Sequence, residues 1–145
     1  MELEFKDVVQ SGSAVFVGTG VMIAAFSYRH QTRTKRAEWM KVLFEKFYET
    51  ETFKEVRQWI ESGEIEKKIK PGIKVSGADE KLADYLNFFE FVAVLKSDSQ
   101  LKFRDISNMF DYYLRKLKNS EAVMAWIHDE DYGFEKLRNL LDNMK

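Results

Sequence analysis

The chain has 145 residues, a formal net charge of −1, no cysteine, one proline and seven glycines, with 45% hydrophobic and 14% aromatic side chains. Without cysteine it has neither a disulfide framework nor a thiolate metal site, and its two histidines, His30 and His128, are too few for most histidine-based metal or nucleophile chemistry. The length suits one domain, and scarce proline and glycine beside 32% charged residues favour amphipathic helices over a disordered or turn-rich β-chain.

The charge is placed unevenly. Residues 1–7 carry −2, the 21 residues from Val8 to Tyr28 carry none, residues 29–36 carry +4 and the remaining 109 carry −3. An uncharged block between acidic and basic flanks predicts a single transmembrane helix over 8–28, because an ionised side chain at the bilayer centre costs about 2.5–3.5 kcal/mol on insertion scales. As a helix the block reaches roughly 31 Å, close to a hydrocarbon core of about 30 Å. It is weakly hydrophobic, being interrupted by Gln10, Ser11, Gly12, Ser13, Gly18, Thr19 and Gly20. The acidic start favours a retained anchor over a cleaved signal. Two soluble alternatives stand beside it: short buried strands at Val15–Val17 and Val21–Ile23, or a buried core helix.

The Lys/Arg bias predicts a short extracytoplasmic N-terminus and a cytoplasmic domain at the inner (plasma) membrane. Ala14 with Gly18, and Gly20 with Ala24, lie four apart and would let another helix approach closely, either a second copy or a larger membrane protein. Arg29, Arg33, Lys35, Arg36 and Lys41 follow as a topology signal, each able to gain about 1 kcal/mol near anionic membrane lipids. So short a basic run before a net acidic domain does not suit nucleic acid.

The cytoplasmic part, 37–145, reads as a small bundle of five to six helices. No proline or glycine occurs between Val21 and Ser62, so the membrane helix is expected to run on through Trp39, Leu43 and Phe47 to about Tyr48. Thr50 or Thr52 is the predicted N-cap of a second helix bearing Phe53, Val56 and Ile60, with Gly63 as its C-terminal stop. Residues 64–79 read as a long loop around Pro71. A third helix, 80–96, is apolar nearly all round, as in the middle of a bundle, with a narrow polar stripe of Glu80, Asp84, Asn87 and Glu90. Phe103 to Leu117 mark a fourth. Asn119 or Ser120 caps a fifth with Val123, Trp126 and Ile127, and Phe134, Leu137, Leu141 and Met144 mark a sixth.

Glu90, among Phe88, Phe89 and Phe91, is the one carboxylate in a setting that general acids use. No histidine or second carboxylate accompanies it, so it reads as a polar contact on the stripe or a partner of Arg57, Arg104 or Arg115. The His128-Asp129-Glu130-Asp131 turn lacks the spacing and glycine of an EF-hand. No dinucleotide, phosphate-loop, hydrolase-elbow or HExxH motif is present. The expected protein is therefore a membrane-tethered helical interaction or scaffold protein, a subunit or adaptor without catalytic residues, metal or cofactor. The alternative is a membrane-helix effector that oligomerises in the bilayer, in a stress or phage-defence setting.

The runs KVLFEKFYETETFKEVRQWIESG, DYLNFFEFVAVLK, FDYYLRKL and YGFEKLRNLL together resemble an uncharacterised bacterial family of short, membrane-anchored, all-helical proteins defined as a domain of unknown function. The resemblance covers Trp39 to Leu141, and its most specific element is Leu86-Asn87-Phe88-Phe89-Glu90-Phe91. It implies the architecture above, supplies no activity or cofactor, and singles out Asn87 and Glu90 as a buried polar contact or a packing feature.

Overall fold

The computed structural model describes the backbone of residues 2–70 and 77–145, and the side chains from residue 23 onward except Ala25 and residues 71–76. The architecture is all-α. In chain order the helices are α1 (Glu2–Glu49), α2 (Glu51–Ser62), α3 (Ile65–Lys68), α4 (Ala78–Ser97), α5 (Phe103–Lys118), α6 (Glu121–His128) and α7 (Glu135–Asp142), with a 3-10 turn at Glu130–Tyr132. Two compact units are distinguished, Met1–Ala37 and Glu38–Lys145. The first consists of the N-terminal part of α1. Its Thr32 and Thr34 hydroxyls donate to the carbonyls of Tyr28 and His30, at 2.9 and 3.1 Å, which accommodates both threonines within the helix.

In the second unit, α1 ends where the Thr50 hydroxyl donates to the Lys46 carbonyl at 2.6 Å, satisfying one of the orphan acceptors of a helix end. Thr50 does occupy the N-cap backbone position of α2, yet its side chain caps no N–H there, because the hydroxyl is engaged on the preceding helix. Gly63 terminates α2 with a left-handed φ of 74°, a conformation glycine adopts without a Cβ penalty.

The expected loop from 64 to 79 is shorter than the sequence suggests. Ile65 and Ile69, four apart, are both buried, and the single turn of α3 between them places them on one side. Six residues of that segment, 71–76, including the Pro71-Gly72 step, lie outside the described residues.

The core explains the sequence of α4. Leu82, Tyr85, Leu86, Phe89 and Val92 are fully buried, because this helix packs against both α7 and α2 and so needs apolar residues on opposite sides. At the centre lies Phe47, fully buried, whose ring meets those of Tyr85, Phe88, Phe89, Phe110 and Tyr113 at centroid distances of 4.9 to 5.8 Å. Most of these pairs are edge-on or tilted, the arrangements that ring quadrupoles favour. Ile106, Phe110, Leu114 and Leu117 form the buried stripe of α5, and α6 packs on α3, α5 and α7.

Candidate functional site

The N-terminal helix holds most of the residues expected to act at the membrane. Ala14, Gly18 and Gly20, expected to support helix packing, lie outside the described side chains. Ala24 is exposed, and so are three large apolar neighbours, Ile23 (67%), Phe26 (75%) and Tyr28 (72%). Arg29, Arg33, Lys35 and Lys41 are exposed and Arg36 is half-buried, with Lys41 3.7 Å from Glu45 one turn on. Among the described residues, no helix has a stretch long and apolar enough to cross a membrane.

The polar residues inside the bundle work at helix ends. Glu90 makes none of the three arginine pairings considered for it. Its two carboxylate oxygens accept from the backbone N–H groups of Lys136, at 3.1 Å, and Leu137, at 2.6 Å. These are orphan donors in the first turn of α7, whose own N-cap residue, Phe134, has no side-chain acceptor. A carboxylate on α4 therefore does what an Asp or Ser normally does locally, and its charge also suits the positive end of the helix dipole. Asn87 is exposed, not buried. It lines a groove instead.

Glu66 on α3 repeats the device. Its carboxylate accepts from the Ser120 hydroxyl and, at 3.2 Å, from the Ala122 N–H, while the Ser120 oxygen accepts from the Val123 N–H at 3.3 Å. The N-terminus of α6 is thus closed by its own serine and by a glutamate from another helix.

Arg57 is the residue that the sequence reading undervalued. It is only 8% exposed, donates to the Phe47 carbonyl in the last turn of α1, and lies 4.7 and 5.2 Å from the ring centroids of Phe47 and Tyr48. A cation at a helix C-terminus over aromatic faces is favourable on both counts. The signal was legible: Phe53, Val56, Arg57 and Ile60 occupy i, i+3, i+4 and i+7, so the arginine holds a core position of the stripe. Nearby, the Tyr85 hydroxyl is buried with no hydrogen-bond partner among the described residues, and burial pushes its pKa well above the ordinary 10.0. Burial also raises the pKa of Tyr113.

The acidic turn after α6 is structural. Asp129 Oδ1 accepts from the Asp131 N–H at 3.0 Å, and Tyr132 stacks flat on Trp126 with centroids 4.5 Å apart. Among the described residues, no group of three or more His, Asp or Glu is placed to hold a metal ion.

A concavity of about 610 Å³ forms an open groove between α1 and α4. Val42, Lys46 and Thr50 line one wall and Asp84, Asn87 and Phe91 the other, over a floor that includes Leu43, Phe53 and Phe88. The rim is apolar as well: Val42 is 53% exposed and Phe91 43%. Trp39 meets Phe91 at 5.7 Å and Phe47 meets Tyr85 at 5.8 Å, so the two helices run antiparallel along it. No reactive pair lies in this lining. An open channel with an apolar floor and a few polar groups suits the side chains of another macromolecule better than an enclosed substrate.

No family model matches the chain, and neither a curated protein nor a solved structure is found to be similar to it.

Proposed function

We propose that the chain is a membrane-tethered helical adaptor at the inner membrane that acts by binding, with residues 8–28 as its single span and 38–145 as its cytoplasmic interaction domain. The observation that carries this reading is the exposure of Ile23, Phe26 and Tyr28, the large apolar residues that close the uncharged block, followed at once by Arg29 and Arg33. Three large apolar side chains in succession on a helix surface gain most in a bilayer, and the cations after them gain beside lipid headgroups. Tethering would raise the effective concentration of the bundle near a membrane or peripheral partner.

A binding role is supported by what the polar residues do. Glu66, Glu90 and Arg57 are all engaged on backbone groups at helix ends, which leaves the groove lining as surface for recognition. The test is fractionation of the full-length chain: it should remain with membranes after an alkaline carbonate wash. Recovery as a detergent-free monomer from the soluble fraction would sink the reading.

A second reading is an effector whose spans assemble through Ala14, Gly18, Gly20 and Ala24. The exposure of Ala24 beside Ile23 favours it. Expression that depolarises cells, abolished by Gly20→Leu, would select this reading over a passive adaptor.

A further inference from the structure

The two walls of the α1–α4 groove match each other. Along α1, Val42 is followed one turn later by Lys46; along α4, Asp84 is followed two turns later by Phe91. Because the helices are antiparallel, with Trp39 level with Phe91 and Phe47 level with Tyr85, Val42 and Phe91 fall toward one end of the groove and Lys46 and Asp84 toward the other. Both charged side chains are exposed, and neither joins an ion pair among the described residues. The Lys46 ammonium instead lies 5.8 Å from the Phe53 ring centroid.

We propose that this groove is a homodimer interface, on which a second copy of the chain docks about a twofold axis running along it. Such an axis sets each wall opposite the other wall of the partner. Val42 then meets the partner's Phe91, Lys46 meets the partner's Asp84, and both contacts occur twice because the interface is isologous. Apolar side chains then meet at one end of the groove and opposite charges at the other, so the interface joins the apolar and polar contacts that protein interfaces combine. Walls of like charge would repel a copy, whereas walls of opposite charge select one. All of these residues follow Glu38, so the inference stands or falls independently of the membrane reading.

The test uses the full chain in mild detergent, where the absence of native cysteine makes engineered cysteines unambiguous. Val42→Cys and Phe91→Cys variants, mixed and oxidised with a copper catalyst, should give a mixed disulfide dimer in several-fold excess over either variant alone. By sedimentation, Lys46→Glu and Asp84→Lys should each raise the dimer dissociation constant about tenfold, since two favourable charge contacts become two unfavourable ones. An equimolar mixture of these two variants should regain wild-type association, because every contact in the mixed pair again joins opposite charges. Both substituted side chains are exposed, and unchanged circular dichroism would verify the fold. A monomeric wild type, with or without another molecule seated in the groove, overturns the proposal. So does a dimer indifferent to both charge reversals, which would place self-association elsewhere on the chain.

Discussion

Replacing Glu90 with alanine removes two acceptors from the first turn of α7 and leaves the N–H groups of Lys136 and Leu137 without their partner. Loss of an N-cap costs about 0.5–2 kcal/mol, and loss of a carboxylate from the positive end of a helix about 0.3–1 kcal/mol. The two overlap, and the half-buried site excludes part of the water that would otherwise re-solvate the donors, so about 1–2 kcal/mol is expected. Because α7 contributes Leu137, Leu140 and Leu141 to the core, the loss should register in global unfolding and not only as local fraying. For a domain of this size the midpoint should fall by roughly 5–10 °C. Glu90→Gln retains one acceptor oxygen and should lose about half as much, while Glu90→Asp, one methylene shorter, should behave nearly as alanine. Urea unfolding followed by circular dichroism gives the stability, and hydrogen exchange at Leu137 gives the location. Wild-type midpoints in all three variants, with unchanged protection at Leu137, would refute the capping role.

Arg57→Ala should cost about 2–4 kcal/mol through the lost bond to the Phe47 carbonyl and the space left beneath the rings. Arg57→Lys should recover less than half of that, and a lysine variant as stable as wild type in chemical denaturation would argue against a contact specific to the guanidinium. Tyr85→Phe removes a buried hydroxyl that has no partner among the described residues and should stabilise by about 1 kcal/mol. The same group sets an alkaline limit. Its folded pKa is raised well above 10.0, so as pH rises past that value the unfolded chain releases the proton while the folded chain keeps it. Stability from this source is complete below pH about 10 and falls by up to about 1.4 kcal/mol per unit above it, a slope that pH-dependent urea titrations should find reduced in Tyr85→Phe. Glu66→Ala should lower stability by about 0.5–1.5 kcal/mol, with faster amide exchange at Ala122. Ser99, at φ 59°, sits where glycine is unstrained, so Ser99→Gly should raise the thermal midpoint by a few degrees.

Periodicity located most of the helices because their burial patterns are local. Phe53, Val56 and Ile60, or Phe110, Leu114 and Leu117, repeat at helical spacing whatever they pack against. The same reasoning missed α3, since a single turn offers two apolar positions and a charged run around them reads as loop. It misassigned the Thr50 hydroxyl because a threonine between two helices can serve the end of one or the start of the next, and only the fold decides. Glu66 and Glu90 were opaque for a stronger reason. Their partners lie 46 to 56 residues away, so their role exists only once the helices are docked. The groove is likewise a product of the α1–α4 register, although Asn87 and Asp84 were visible in advance as part of a polar stripe.

The long-range caps also order events in time. Helices α6 and α7 are eight residues each, below the roughly 12–15 at which an isolated helix becomes even marginal in water. Each has an N-terminus closed by a glutamate made much earlier on the ribosome, on α3 for α6 and on α4 for α7. Both helices therefore follow in synthesis the side chains that close their N-termini, and each gains its cap only by docking on a helix made before it. A chain lacking the residues from Glu135 onward would carry Glu90 with nothing to cap on α7 and would leave bare the side of α4 that α7 covers.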